Sequence, residues 1–301
     1  MSAPPPATAP RWEPTAVTCA DGVVLRGRLV LPAGEPRAAV QFNPGTAARL
    51  RFYEPFLTFL ARRGFACSLV DYRGSGASVP PGGLRDCRYS YVEYGTQDLP
   101  AVRDHLRVRF PGLPLLMVGH SAGGQQLPFS GDLSGVRGAL LFAVSTGYRP
   151  GLAPYYRPQS WLFFRAFLPV SLRLTGYCAA ARLGLMEDLP AGVALQWRRW
   201  CDSPDYCFDA RFRGDVPAVD WAALDFPVRH VHALTDEIST ARNVATFWRH
   251  WRPAGGVEQH AFAPADYGLA APVRHFDYFR ERLFGDTLWR EAAAWLDARI
   301  D

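Results

Sequence analysis

The chain has 301 residues, 49% of them hydrophobic, enough for one large α/β domain with an insert. Its net charge of +5 rests on arginine alone, since no lysine is present, and like charges never run beyond two or three residues. Such dispersal excludes a phosphate-binding stripe and with it a nucleic-acid partner, and no apolar run is long enough to span a bilayer.

The six cysteines include no C-x-x-C pair, and Cys201 and Cys207 lack the companions a zinc site needs. Cys67, in an apolar run, reads as an inert core thiol. Residues 1–14 are rich in Pro and Ala and read as a flexible tail. They carry neither the basic start nor the apolar stretch of a secretory leader, so a soluble, cytoplasmic chain is expected.

Two β-rich runs, Val17-Thr18-Cys19 and residues 23–31, flank Asp21-Gly22 and predict an antiparallel hairpin. The short apolar run Ala39-Val40-Gln41-Phe42 is a strand that ends in the turn Asn43-Pro44-Gly45-Thr46. Residues 53–63 put Phe56, Leu57, Phe59 and Leu60 on one helical face, with Gly64 as the stop. A buried strand over 65–70, a helix over 93–109 and a strand over 114–118 follow. Further strands are expected over 138–144, 228–234 and 257–262, and helices over 240–250 and 287–299. Strands alternating with helices imply crossover connections and a mostly parallel sheet. Residues 148–219 break the alternation. They are rich in aromatics, among them Tyr148, Trp161, Phe164 and Trp197, and read as a helical cap inserted between core segments 15–147 and 220–301.

The strongest motif is Gly119-His120-Ser121-Ala122-Gly123-Gly124, a G-x-S-x-G pentapeptide with a strand before it and room for a helix after it. That context lifts a serine hydroxyl out of a sharp turn and aims the next backbone N–H at the same spot. A serine needs a base, and the base needs an orienting acid. In chain order Ser, acid, His, only His275 falls in a loop after the last strand. His105 and His120 come too early, His230, His232 and His260 lie within strands, and His250 lies in a helix. For the acid, Asp236 directly follows the strand over 228–234, with Glu237 and Asp266 as rivals. Ala122 N–H is the first oxyanion donor. Pro44 has no N–H, so the second is Gly45 or Thr46, and Gly45 is favoured because it lets substrate approach closely. Thr46, His120, Tyr148 and Trp197 are candidate substrate-binding residues, although Trp197 and Trp200 at helical spacing also suit core packing. The run Asp71-Tyr72-Arg73-Gly74-Ser75-Gly76 lacks the ending of a phosphate loop and reads as structural, with Asp71 and Arg73 pinning the rim of the site.

With Ser121, Asp236 and His275 placed, the chain resembles the α/β-hydrolase superfamily across nearly its whole length. More narrowly it is similar to bacterial hydrolases of the serine-aminopeptidase-like and lysophospholipase-like group. Asn43-Pro44-Gly45-Thr46, Asp71 to Gly76, Gly119 to Gly124, Thr146-Gly147-Tyr148, Gly184 to Pro190, Trp197 to Trp200 and Arg274-His275-Phe276 carry the resemblance. It implies an α/β-hydrolase fold with a helical cap and a Ser121–His275–Asp236 triad without metal or organic cofactor. The expected activity is cleavage of an ester, or a related acyl bond, of a small and largely apolar molecule. A thioesterase, aminopeptidase or acyltransferase would use the same triad. A non-catalytic scaffold would more commonly have lost one of its members. Oligomeric state is not legible.

Overall fold

The computed structural model describes residues 9–300. Its centre is one eight-stranded sheet in the order β1-β2-β4-β3-β5-β6-β7-β8. The strands are β1 Arg11–Thr18, β2 Val24–Leu31, β3 Ala38–Asn43, β4 Phe65–Val70, β5 Leu115–His120, β6 Val136–Phe142, β7 Val228–Ala233 and β8 Val257–Phe262. β1 and β2 form the expected antiparallel hairpin and β2 joins β4 antiparallel; all other pairings are parallel. The fold class is therefore as expected: a mostly parallel sheet flanked by helices. β3, β4 and β5 are buried along their whole length, as crossover helices on both faces require.

Two hydrophobic layers cover the sheet. On one face α1 (Glu54–Ala61) and the C-terminal helix Leu288–Asp297 bring Phe56, Leu60 and Trp289 onto Val40, Phe42, Val118 and Phe142. On the other, α2 (Leu99–Arg109) sets Leu99, Val102 and Leu106 against Ala39, Met117 and Leu141. Alternate residues of one strand thus belong to different layers. After β5 come α3 (Ala122–Gln125) and, beyond β6, α4 (Arg157–Leu162), α5 (Leu168–Thr175) and α6 (Ala191–Cys201). Then follow α7 (Ala241–His250), α8 (Glu281–Phe284) and α9 (Leu288–Asp297). Between Tyr148 and β7 the described chain is helical and irregular, apart from a single bridge between Cys178 and Leu189.

Two expectations need correction, and the helix for which the sequence left room after Ser121 is present but short. Of the tail expected over residues 1–14, residues 1–8 lie outside the described ones, but Arg11–Pro14 belong to β1 because β2 supplies eight residues of partner. The helix after Ser121 is one turn long and passes into a 3₁₀ turn at Leu127–Phe129, where Pro128 cannot donate to a continuing helix. Arg73 does not pin a rim: it is fully buried, with Nε 2.6 Å from Asp98 Oδ1 and Nη1 2.7 Å from Asp21 Oδ2. It ties the β1–β2 turn to the start of α2. Asp71 does hold its own loop, accepting from Ala77 N–H at 2.9 Å. All six cysteines are free. No described helix is long and apolar enough to cross a membrane.

Deleting the Arg73 guanidinium leaves Asp98 buried without its cation. Arg73→Met, which keeps the backbone bond to Asp98, is expected to cost about 3–5 kcal/mol in urea unfolding; a loss near zero would show that the cluster contributes nothing to stability.

Candidate active site

The site lies where the strand order jumps. β4 pairs on one side of β3 and β5 on the other, so the turns after β3 and β5 open side by side at the carboxyl edge. An open parallel sheet presents its ligand crevice at such a point. β5 ends directly in Ser121, whose φ of 49° and ψ of −113° are a backbone state that side-chain-bearing residues rarely adopt. Holding it costs about 1–3 kcal/mol. The turn is over-determined by its neighbours: Ser121 N–H donates to Phe142 O at 2.9 Å, and Ser121 O accepts from Gly124 and Gln125 N–H. The glycines answer contacts: a methyl group on Gly123 would collide with the Asn43 carbonyl, and one on Gly124 with Val144. Close approach of α3 to the end of β3 therefore demands this sequence. Ser121 is half-buried, and the N–H groups of Ala122 and Gly123 open the helix without intrahelical partners.

Asp236 and His275 meet although 39 residues apart. His275 Nδ1 lies 3.0 Å from Asp236 Oδ2 and 3.1 Å from Oδ1. Both side chains are almost fully buried. The carboxylate also accepts from Ile238 N–H and Ser239 N–H at 2.8 Å each and from Tyr278 O–H at 2.8 Å. Burial works against its charge, but His275 and these donors outweigh it and hold Asp236 below the usual carboxylate value. For His275, burial opposes the imidazolium, yet the charge and hydrogen bond of Asp236 prevail and raise it above the ordinary value. The ionised carboxylate assigns the proton to Nδ1 and leaves the Nε2 lone pair free. The two loops are stitched together: Thr235 Oγ1 donates to Val273 O at 3.1 Å and accepts from Val273 N–H at 2.9 Å. Of the rival acids, Glu237 accepts from the backbone N–H of His275 at 3.3 Å, and Asp266 caps its own turn through Ala263 N–H. The His275 ring stands 4.8 Å, centre to centre, from that of His120, the residue before Ser121. Among the described residues no hydrogen bond joins Ser121 Oγ to His275. In ligand-free sites such bonds are often long.

The turn after β3 differs from expectation. Gly45 N–H donates to Tyr53 Oη at 3.0 Å and is therefore not a free oxyanion donor. Thr46 N–H, the other donor considered for that turn, has no partner among the described residues. Thr46 is half-buried, and its hydroxyl is 2.6 Å from that of Tyr91, which donates to Gln125 Oε1 at 3.3 Å. His120 cannot bind substrate: it is wholly buried, with Nδ1 2.9 Å from Tyr53 Oη and Nε2 2.9 Å from the His275 carbonyl. Trp197 packs on Phe164 at 4.9 Å and on Phe163 and Tyr91, in keeping with a core role. Tyr148 lies under the Arg242 guanidinium, and its carbonyl accepts from Asn243 at 3.1 Å.

Residues 34–165, less than half of the chain, match the family model Hydrolase_4, described as serine aminopeptidase, S33. No curated protein matches the sequence. Among solved structures, a highly thermostable carboxyl esterase from Bacillus coagulans is similar at a TM-score of 0.64 and 14% identity, covering 98% of this chain and 100% of its own. A soluble variant of monoglyceride lipase from Saccharomyces cerevisiae, in complex with a substrate analog, gives 0.64 and 16%, covering 98% and 97%. An esterase from Pyrococcus furiosus gives 0.60 and 14%, covering 99% and 100%. The chain has the α/β-hydrolase fold. Within that fold the G-x-S-x-G turn directly follows β5, and His275 lies in the chain after β8.

Sequence reasoning missed Tyr53 and Tyr278. Tyr278 is three residues beyond His275, and its hydroxyl bridges Asp236 and Ala233 N–H. A tyrosine on the first turn after the histidine is the available signal; Tyr53 has none, because its partners come from three separate chain segments, at the end of β3, the end of β5 and near Phe279.

The paired ring of His275 is expected to titrate above the ordinary imidazole pKa of about 6.5. Asp236→Asn removes the main charge that opposes burial and leaves only Glu237 against it, so the midpoint should fall relative to wild type. Histidine NMR titration of both proteins checks the sign; a wild-type midpoint at or below the ordinary value would contradict the pairing.

Proposed function

We propose that this protein is a serine hydrolase that cleaves an ester, or a related acyl bond, of a small and largely apolar substrate. The observation that carries the reading is the Asp236-bound imidazole of His275 set beside the strained turn that presents Ser121. Ser121 Oγ attacks the carbonyl carbon while His275 Nε2 takes its proton. The carbonyl electron pair moves onto oxygen, and the N–H groups of Ala122 and Thr46 hold that oxyanion. Donors of this kind contribute roughly 2.7–4 kcal/mol each to the transition state. Collapse expels the alcohol, which leaves with the proton from His275, and an acyl group remains on Ser121. Water then adds to the acyl carbon as His275 takes its proton. A second collapse frees the acid and returns the proton to Ser121.

The helical insert over residues 148–219 is the proposed cap. Its Ala153 N–H donates to Glu237 O at 2.9 Å, and Tyr155 lies under the guanidinium of Arg274 beside the base, so the insert reaches the rim of the site. Structural neighbours described as carboxyl esterase and monoglyceride lipase support an ester as substrate. The partial match to a model described as serine aminopeptidase favours, as second reading, an aminoacyl amide cleaved by the same groups.

A fluorophosphonate probe is expected to label wild-type protein at Ser121, located by peptide mass spectrometry. Turnover of p-nitrophenyl esters should disappear in Ser121→Ala. Folded wild-type protein that takes no label, or a Ser121→Ala variant that keeps its turnover, would overturn the proposal. Cleavage of aminoacyl arylamides in preference to every ester tested would select the second reading.

A further inference from the structure

Two buried residues between the three loops of the site have no part in the scheme above. Tyr53 directly precedes α1 and is fully buried, its ring held between Phe42 at 4.6 Å and Phe279 at 4.8 Å. His120, equally buried, is packed against Phe276 at 5.0 Å and Phe279 at 5.1 Å. Their polar atoms form one chain. Gly45 N–H lies 3.0 Å from Tyr53 Oη, Tyr53 Oη 2.9 Å from His120 Nδ1, and His120 Nε2 2.9 Å from the carbonyl oxygen of His275.

The direction of this chain is dictated by its ends. A carbonyl only accepts, so His120 Nε2 carries a proton. Burial, reinforced by the neighbouring His275, holds His120 well below the ordinary imidazole value and keeps the ring neutral, so Nδ1 is an acceptor. Tyr53 O–H must then donate to Nδ1, which leaves its oxygen lone pairs for Gly45 N–H, a group that only donates. Every donor in the chain has its acceptor. A methyl group on Gly45 would meet His120 Nδ1 at 2.9 Å and Tyr53 Oη at 3.3 Å, so the turn is drawn tightly onto the pair.

We infer that Tyr53 and His120 are positioning residues that tie the oxyanion turn after β3 to the backbone of the base, His275, across the nucleophile turn. The inference rests on the hydrolase reading for its kinetic consequence and on geometry alone for the chain of hydrogen bonds. By occupying Gly45 N–H the relay leaves Thr46 N–H as the free donor of that turn. By holding the His275 carbonyl it sets the base relative to that donor. A displacement of about 1 Å between such groups can cost on the order of 100-fold in rate.

Three single variants separate the parts. Tyr53→Phe removes the middle of the relay. His120→Asn keeps an acceptor near Nδ1 and loses the donor to His275, whereas His120→Gln keeps a donor near Nε2 and loses the acceptor. Each is expected to lower kcat on a p-nitrophenyl ester about ten- to a hundredfold while KM changes within about twofold. Fluorophosphonate labelling should slow in parallel. In the double variant Tyr53→Phe/His120→Gln the losses should be no larger than the worse single loss, because both break one chain. Independently of any activity, ¹⁵N-histidine NMR of the wild-type protein should show His120 as the neutral Nε2–H tautomer through the pH range in which His275 titrates. The Nδ1–H tautomer, additive losses, or a raised KM at unchanged kcat would overturn the relay. If the wild-type protein neither turns over an ester nor takes the label, the hydrolase reading fails, and the tautomer still decides the hydrogen-bond chain. A variant that does not fold, judged by its melting transition, leaves the decision to the remaining variants and to that tautomer.

Discussion

A carboxylate buried in the protein keeps its charge only if hydrogen bonds and an opposite charge replace the water it has lost. At Asp236 two backbone N–H groups, the hydroxyl of Tyr278 and the ring of His275 do so. This arrangement is what the rest of the site depends on. An ionised Asp236 puts the imidazole proton on Nδ1 and so leaves the lone pair on the other nitrogen. A protonated Asp236 would lose the charge that raises the ring, and the tautomer would no longer be dictated. The stitching of the two loops by Thr235 and Val273 follows from the same need, since a bond 3.0 Å long across 39 residues tolerates little slack.

The sheet supplies the rigidity. β3 and β5 are neighbours with residues paired from Ala39–Leu115 to Asn43–Gly119, so the turns that follow them start at the same level. Gly123 lets α3 press against the Asn43 carbonyl, and the strain at Ser121 is borne by bonds to the ends of β6 and α3 rather than relieved. The two aromatic-rich layers pack the sheet from both sides. The relay of Tyr53 and His120 runs between one of those layers and the turns above it, which is why Phe279 touches both rings.

Much of this was legible in the sequence, for reasons that differ by element. The inner strands are short apolar runs flanked by turn residues, so their places followed from pattern, and the run over 65–70 matches β4; at the sheet edge, residues 257–262 match β8. Ser121 followed from glycines whose absence of Cβ is itself the local constraint. His275 followed from chain order, an argument about topology rather than about its neighbours. What escaped was set by distant partners. Arg11–Pro14 looks like tail until β2 lies beside it. Arg73 looks like a surface loop residue until Asp21 and Asp98 surround it. Gly45 looks like the better donor until the hydroxyl of Tyr53, held by Phe42 and Phe279, takes its N–H.

The central claim is a geometric one, that the hydroxyl of Ser121, the ring of His275 and two backbone N–H groups surround a single acyl carbon. The most direct measurement is a crystal structure of the protein after reaction with an alkyl phosphonate, whose tetrahedral phosphorus stands in for that carbon. The account expects phosphorus bonded to Ser121 Oγ, its charged oxygen within hydrogen-bond distance of Ala122 and Thr46 N–H, and His275 still bonded to Asp236. An adduct on another residue, an oxygen held away from both N–H groups, or an imidazole turned from Ser121 would contradict it.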